Sequence, residues 1–228
     1  FIIGFPRSGT TLLDTFLMNL PDLHVMEEMP VMRQVEVALG VPANIADLDD
    51  EKAAHLRDRY FEALAVIAPP PPNARIVDKY PLHMARMPLI HRIFPNAPII
   101  FVERHPYDVV LSCFMANFKL NRAMRHFTTL EETALLYDRV FTAWERSRAL
   151  FPLSVHTIRY EHMVVDTESE LKHLLHFLDI PWTDDVLDNQ GAASRRNHIK
   201  TASYAQVTEP VYKRAAGRWR RYRAQLAP

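Results

Sequence analysis

The stretch FIIGFPRSGTTLL, residues 1–13, decides the fold of this chain. Its apolar residues 1–5 predict a buried strand, and the spacing of apolar residues in 10–19 predicts a helix. A strand, a tight loop and a helix in this order begin a βα unit. The first residues therefore predict an α/β protein.

The loop of this unit has the composition of an anion-binding site. Gly4 and Gly9 have the G-x-x-x-x-G spacing of a phosphate-binding loop, but Thr10 stands where such a loop normally has its lysine. Backbone N–H groups at the start of a helix favour an anion. The side chains of the loop support this interpretation. Ser8, Thr10 and Thr11 provide hydroxyl donors, and Arg7 provides a cation that can hold a phosphate with two parallel hydrogen bonds.

The rest of the chain alternates between short strands and helices. Further strands are predicted at residues 75–78, 98–102 and 154–158, and helices at 29–39, 51–67, 82–94, 105–118, 131–150 and 168–178. This alternation predicts a P-loop-type three-layer α/β/α fold with a central parallel sheet. We expect residues 1–228 to form a single domain, cut from a longer chain because Phe1 opens directly into a strand.

Composition excludes several classes of protein. A content of 48% apolar residues is that of a globular protein, and the formal net charge of zero provides no overall attraction to nucleic acid or to a membrane surface. No run approaches about 18 consecutive apolar residues, so no membrane span is expected in this segment. The single cysteine, Cys113, excludes an internal disulfide and fits a reducing compartment. We expect a cytoplasmic location of bacterial type.

The kind of anion can be narrowed further. Nucleoside triphosphate sites use the loop lysine together with Mg²⁺, which a strand-end aspartate helps to hold. Here the lysine is missing, and the strand at 98–102 ends in Glu103 and Arg104, whose guanidinium would oppose a metal ion. A donor with one 5′-phosphate that bears a sulfuryl group carries less charge, so cations alone could hold it.

Residues 1–13 resemble the 5′-phosphosulfate loop of the sulfotransferase family, which has a PRSGTT core. The segment IIFVERHPYDVVLS, residues 99–112, is similar to the family's 3′-phosphate motif, with Arg104 and Ser112 at its two functional positions. The resemblance implies 3′-phosphoadenosine 5′-phosphosulfate as co-substrate, adenosine 3′,5′-bisphosphate as product, and no metal. Two later segments, 158–161 and 212–219, resemble the parts of the family that contact adenine and the 3′-phosphate; they assign Tyr160, Lys213 and Arg214.

The resemblance also implies which residues perform the chemistry. The small-molecule branch of the family has a histidine base after a lysine, whereas Tyr80 follows Lys79 here. The protein-tyrosine branch uses the second glutamate of a pair, and PRSGTTLLDTFLMNLPDLHVMEE ends in that pair. The implied assignment is Glu28 as general base and Lys79 as the cation between sulfuryl and leaving oxygens, with Arg7 and Ser203 also at the transferred group. His83 and His105 are rival bases.

The implied reaction is sulfuryl transfer to an acceptor hydroxyl. A carboxylate base suits a phenol, whose pKa is near ~10, better than an aliphatic alcohol. Protein tyrosine, a glycan, a lipid and a small metabolite nevertheless stay open as acceptors, as does the oligomeric state. The C-terminal part is similar to bacterial sulfotransferases that carry upstream tetratricopeptide repeats.

Two other functions compete with this hypothesis. The loop and the fold also fit a P-loop kinase or nucleotidase that acts on ATP with Mg²⁺. The basic residues after position 194, nine against one acid, with the aromatic side chains between them, would suit a module that binds nucleic acid. Because the formal net charge is zero, we expect no nucleic-acid partner.

Overall fold

The computed structural model describes residues 1–118, 121, 123–188 and 215–226. Its centre is a sheet of five parallel strands in the order β2-β3-β1-β4-β5. The strands are β1 Ile2–Gly4, β2 Leu23–Glu27, β3 Arg75–Lys79, β4 Ile99–Glu103 and β5 Val155–Arg159.

Helices connect the strands and cover both faces of the sheet. The α-helices of the described residues are α1 Thr10–Leu17, α2 Val31–Leu39, α3 Asp50–Ile67, α4 Met87–Ile93, α5 Pro106–Met115, α6 Leu130–Leu150, α7 Tyr160–Met163, α8 Thr167–Phe177 and α9 Arg223–Leu226. Short 3₁₀ turns occupy Pro42–Asp47, Pro81–Arg86, Met124–Thr128, Asp184–Leu187 and Arg218–Tyr222. None of the helices in these ranges has the length and apolarity needed to cross a bilayer.

The alternation of side chains along the strands divides the core in two. Ile2 packs into a cluster with residues of α1 and α8, while Ile3 packs into a second cluster with residues of α3, α4 and α6. In β4, Ile100 and Val102 enter the first cluster, and Phe101 the second. A strand buried on both faces needs an uninterrupted apolar sequence. The predicted three-layer α/β/α fold with a parallel sheet is therefore confirmed.

Strand β2 is absent from the sequence-based prediction. Its sequence, Leu-His-Val-Met-Glu, lies at the edge of the sheet, and only Leu23 and Met26 are buried. An edge strand with a half-polar composition has no strong periodicity of its own, and pairing with β3 makes it a strand. The sequence also predicts one helix at 82–94, whereas the structure has a 3₁₀ turn, Pro81–Arg86, followed by the shorter helix α4, Met87–Ile93.

Parallel strands bring their carboxyl ends to one edge of the sheet. In the register of the sheet Glu27 lies beside Lys79 and Gly4 lies beside Val102. Loops at this edge form the usual binding crevice of an open α/β sheet. Among the described residues, those predicted from sequence to be functional lie at the ends of these strands or in the loops and helices that follow them.

Candidate active site

The loop between β1 and α1 has the geometry of an anion cradle. Gly9 has φ 108° and starts α1 without a side-chain cap, so the first N–H groups of this helix stay available. A Cβ at Gly9 would lie 2.5 Å from Cδ2 of Tyr160, so only glycine fits here. Arg7 also has a positive φ, 70°, an unusual conformation for a residue with a Cβ.

Two buried donors near this loop lack a hydrogen-bond partner within the described residues. They are the hydroxyl of Ser8, which is 1% exposed, and Nε of Arg104. Buried donors without partners are costly in a finished fold and mark places where a ligand can bind. Gly4 leaves room for the hydroxyl, since a Cβ there would lie 2.6 Å from Ser8 Oγ.

The two arginines singled out from sequence lie side by side. Arg104 Nη1 donates a hydrogen bond to the carbonyl of Arg7 at 3.0 Å, and Arg7 Nε donates to Ser112 Oγ at 3.1 Å. The loop is tied to α5 as well, because Cys113 Sγ donates to the carbonyl of Pro6 at 3.2 Å. The two predicted phosphate sites thus adjoin, because Arg104 contacts the backbone of Arg7 and Arg7 contacts Ser112.

Tyr160 forms one wall of this region. It follows β5 as the first residue of α7 and is only 8% exposed. Its ring packs against the backbone of Gly9, and the guanidinium carbon of Arg104 lies 4.7 Å from the ring centroid. A cation at this distance from an aromatic face is attracted to it. Tyr160 therefore contacts both the β1–α1 loop and Arg104.

The segment at residues 215–226 is fastened to the same region. Asp108, 1% exposed in α5, accepts hydrogen bonds from the N–H groups of Gly217 at 2.6 Å and Trp219 at 2.8 Å. The Trp219 ring stacks on His105, with ring centroids 4.8 Å apart. Arg104 Nη2 donates to the carbonyl of Ala215 at 2.6 Å. These contacts bring a distant part of the chain to Arg104.

Lys79 is the centre of a buried charge cluster. Its side chain is fully buried, and its Nζ lies 3.2 Å from Asp14 Oδ2, 3.3 Å from Glu27 Oε1 and 3.1 Å from Glu28 Oε1. Thr11 Oγ1 accepts a further hydrogen bond at 3.5 Å. The structure therefore brings the predicted pair Lys79 and Glu28 into contact. It also adds Asp14 and Glu27, for which sequence reasoning had assigned no role.

The charge state of Lys79 follows from these neighbours. Burial alone would lower the pKa of this lysine, because the ammonium loses its hydration. Asp14, Glu28 and Glu27 act in the opposite direction and outweigh burial, so the pKa lies above its ordinary value. Lys79 is therefore a cation at neutral pH.

Glu28 differs from Glu27 in exposure and in backbone conformation. The Glu28 side chain is 32% exposed and that of Glu27 is 11% exposed. Glu28 has φ 51°, and its N–H donates to the carbonyl of Lys79 at 2.8 Å. A side-chain-bearing residue held in the left-handed region is strained, and such strain concentrates at functional sites. The Glu28 carboxylate contacts Lys79 and is open to solvent at the same time.

The rival histidines have other partners. His83 is buried, and its Nε2 lies 3.2 Å from Asp78 Oδ1. Tyr60 donates to the other oxygen of Asp78 at 2.9 Å. Because neighbouring residues of a strand point to opposite faces, this network lies on the other side of β3 from Lys79. His105 precedes α5 as its cap, and its Nδ1 accepts from the N–H of Tyr107 at 3.3 Å.

Part of the predicted site is not covered by the described residues. Ser203, Lys213 and Arg214 lie outside the described ranges. Within those ranges, no three His, Cys, Asp or Glu side chains form a group that could hold a metal ion. Asp14 could have been noticed in the sequence as a lone acid among the apolar residues of the first helix, one turn after the loop hydroxyls.

Comparison with known proteins identifies the family. A family model with the description Sulfotransferase family matches residues 1–184. The chain belongs to the sulfotransferase family. Among its relatives are an uncharacterized protein of Aquifex aeolicus, 28% identical over 100% of this chain and 31% of that protein, and protein-tyrosine sulfotransferase 1 of Danio rerio, 28% identical over 96% of this chain and 64% of that protein.

Solved structures of sulfotransferase domains share the fold. The sulfotransferase domain of the Synechococcus PCC 7002 olefin synthase superposes with a TM-score of 0.66 at 19% identity, over 96% of this chain and 86% of that chain. A Mycobacterium avium sulfotransferase superposes with a TM-score of 0.55 at 13% identity, over 99% and 76%. At these identities the likeness concerns the fold.

Proposed function

We propose that this chain transfers a sulfuryl group from 3′-phosphoadenosine 5′-phosphosulfate to an acceptor hydroxyl. One observation carries the proposal: two adjoining cationic sites, each with a buried donor that lacks a partner among the described residues, lie at the carboxyl edge of the sheet. The two phosphates of the donor sit on one ribose, so the two sites that hold them must be neighbours.

The donor would be held by residues of both sites. The side chains and N–H groups of the β1–α1 loop take the 5′-phosphosulfate, and those of the β4–α5 connection take the 3′-phosphate. Tyr160 lies beside the adenine, where a flat ring suits a base. The proposed donor residues are Arg7, Ser8, Gly9, Thr10 and Thr11 for the first group, and Arg104 and Ser112 with Lys213 and Arg214 for the second.

The buried cluster would perform the transfer. Lys79 stabilises the negative charge on the sulfuryl and leaving oxygens, and Arg7 and Ser203 assist at the same group. Glu28 takes the proton of the acceptor hydroxyl while the acceptor oxygen forms its bond to sulfur. The bond between sulfur and the 5′-phosphate oxygen breaks at the same time, and its electron pair leaves on the phosphate, which gives adenosine 3′,5′-bisphosphate.

We further propose that the acceptor is a phenol of the protein-tyrosine type. The relatives named protein-tyrosine sulfotransferase support this class, as does a carboxylate rather than an imidazole beside Lys79. Glycan, lipid and small-metabolite acceptors are tested by offering each with labelled donor and identifying the sulfated product by mass. Sulfation of an alcohol in preference to a tyrosine peptide would overturn the choice of acceptor.

The organisation and location of the chain also stay proposals. We propose that residues 1–228 form one sulfotransferase domain of a longer bacterial cytoplasmic protein with tetratricopeptide repeats upstream. The chain spans 31%, 64% and 46% of the length of the first three relatives. Isolation of the native protein from its cells would test both points.

Calorimetry tests the donor. We expect adenosine 3′,5′-bisphosphate to bind without added metal at least about tenfold more tightly than adenosine 5′-monophosphate, a difference of about 1.4 kcal/mol. Arg104→Gln is expected to remove this difference, and Arg7→Gln to weaken both ligands. Equal affinity for the two nucleotides, or tight binding of ATP that depends on Mg²⁺, would contradict the proposal and favour a kinase.

A further inference from the structure

Asp14 stands out as a charged residue that none of the family motifs assigns. It lies in α1 among buried apolar residues and is itself fully buried, with Oδ2 3.2 Å from Nζ of Lys79. Thr15 donates to Asp14 Oδ1 at 3.4 Å and to the carbonyl of Thr11 at 2.7 Å. Because burial of two charges costs free energy that their attraction only partly returns, such a pair is a weak device for stability alone.

The number of partners on Lys79 limits what this residue can do. An ammonium group has three N–H donors. Nζ of Lys79 donates hydrogen bonds to Glu28 Oε1 at 3.1 Å, Glu27 Oε1 at 3.3 Å and Thr11 Oγ1 at 3.5 Å. Asp14 Oδ2 lies 3.2 Å from Nζ as an ion-pair partner. A sulfuryl oxygen can therefore join Lys79 only when one of the present partners leaves.

Exposure indicates which partner leaves. A carboxylate that gives up its cation needs water in exchange, because an unsolvated charge is costly. The Glu28 side chain is 32% exposed, whereas the side chains of Glu27 and Asp14 are 11% and 0% exposed. Glu28 can be hydrated in its present position, whereas the Asp14 side chain is fully buried within α1.

We propose that Asp14 is a positioning residue that holds Lys79 beside the phosphate loop while Glu28 exchanges its contact with the ammonium for a donor sulfuryl oxygen. This inference rests on the proposed function. Donor binding and release of the base are then one event: Glu28 becomes free to accept a proton only when the sulfuryl group is in place. Asp14 keeps the Lys79 ammonium charged and oriented toward the β1–α1 loop during the exchange.

The electrostatics of the cluster agree with this role. Within the described part of the chain, the charged and polar groups that face Lys79 are Asp14 and Thr11 from α1, Glu27 from β2, and Glu28 directly after β2. Burial lowers the pKa of Lys79, and Asp14 is the strongest of the charges that raise it again. Without Asp14, the pKa of the lysine would fall.

The test is Asp14→Asn in the whole chain, a change that keeps the shape and removes the charge. We expect kcat to fall by about 10²-fold, the loss typical of a misplaced catalytic group. The affinity for adenosine 3′,5′-bisphosphate should stay within about twofold, less than about 0.5 kcal/mol, because this product has no sulfuryl group. In ¹⁵N-lysine NMR, Nζ of Lys79 should titrate at lower pH, and the alkaline limb of kcat should move with it.

Asp78→Asn is the matched control, since Asp78 is equally buried and lies on the opposite face of β3 from the cluster. It should lower stability and leave both kcat and the Lys79 titration unchanged. Asp14→Glu keeps the charge and should retain the Lys79 titration with an intermediate kcat; it also serves as the second variant where Asp14→Asn fails to fold.

The outcomes separate the two proposals. A folded Asp14→Asn chain with unchanged kcat and an unchanged Lys79 titration overturns the role of Asp14, as does an Asp14→Glu chain in which Lys79 titrates at lower pH. Failure of the unaltered chain to bind adenosine 3′,5′-bisphosphate would instead overturn the proposed function, and the NMR titration would still measure the link between Asp14 and Lys79.

Discussion

At the scale of single residues, the site depends on charges that are buried together. Lys79 makes contact with carboxylates from α1, from β2 and from the residue after β2. Ion pairs at the surface contribute little, whereas loss of one partner of a buried pair is strongly destabilising. Glu28, 32% exposed, is the carboxylate of this cluster that has the greatest contact with solvent.

Glu28→Gln tests the general base. We expect kcat to fall by at least about 10²-fold, because an amide cannot take the acceptor proton. The affinity for adenosine 3′,5′-bisphosphate should be preserved, as measured by calorimetry. Glu27→Gln, a change at the less exposed neighbour, is the control and should cost less activity. Near-normal turnover of the Glu28 variant would remove this residue from the role.

Asp78 gives a prediction for pH dependence. Burial by itself raises the pKa of Asp78, but His83 and Tyr60 hold it below its ordinary value of 3.8. A depressed carboxyl pKa stabilises the fold above the unfolded value, and this stabilisation is lost as the pH falls through the folded value.

We therefore expect Asp78→Asn to lower the free energy of unfolding at pH 7 by about 1.5–3 kcal/mol, the range for hydrogen bonds to a charged group. Urea unfolding across the pH range would show the deficit shrinking once the pH falls below about 3.8. A deficit that stays constant down to acidic pH would show that the charge of Asp78 is not what stabilises the fold.

At the scale of elements, the turn between β1 and α1 is constrained both in backbone conformation and in the space available for a side chain. Gly9 combines φ 108° with a wall, the Tyr160 ring, at 2.5 Å from any added Cβ. The helix that follows directs its first N–H groups into the loop. The positive φ of Gly9 and the direction of the first N–H groups of α1 therefore both depend on this one turn.

Gly9→Ala is expected to destabilise the fold by about 1–3 kcal/mol, the cost of holding a side chain in a sparsely populated backbone conformation. Displacement of the Tyr160 ring should also weaken the binding of adenosine 3′,5′-bisphosphate. Thermal unfolding and calorimetry measure the two effects. Gly40→Ala is the control, because its φ is also positive, 85°, while an added Cβ would have its nearest neighbour at 3.5 Å. Equal binding losses in the two variants would contradict this explanation.

At the scale of the whole molecule, the site joins segments that are far apart in sequence. Asp108 connects α5 with Gly217 and Trp219, and Arg104 connects β4 with Arg7 and with Ala215. The sheet order places β1 between β3 and β4, so the loop after β1 is flanked by Lys79 on one side and Arg104 on the other. The topology thus creates the site.

Asp108→Asn tests the docking of the C-terminal segment. Asp108 accepts hydrogen bonds with both carboxylate oxygens, whereas an asparagine side chain has only one oxygen. We therefore expect a loss of about 1–3 kcal/mol in the free energy of unfolding. The affinity for adenosine 3′,5′-bisphosphate should fall with it, since Ala215 contacts Arg104. Asp138→Asn, at an exposed position of α6, should change neither quantity. Unaltered nucleotide affinity in the Asp108 variant would show that the segment does not support the donor site.

The amino-acid sequence alone determined the fold class, the first strand–loop–helix unit and the family, because each depends on local patterns: apolar periodicity, glycine spacing and the order of Arg104 and Ser112 after a strand. Edge strand β2 and the contacts of Asp14 and Glu27 with Lys79 were decided only by the tertiary structure. Asp14 lies far from Lys79 in the sequence, and no local pattern can report a contact that arises when two parallel strands and a helix pack together. The identity of the loop is local, whereas the charge balance around Lys79 is a property of the packed sheet.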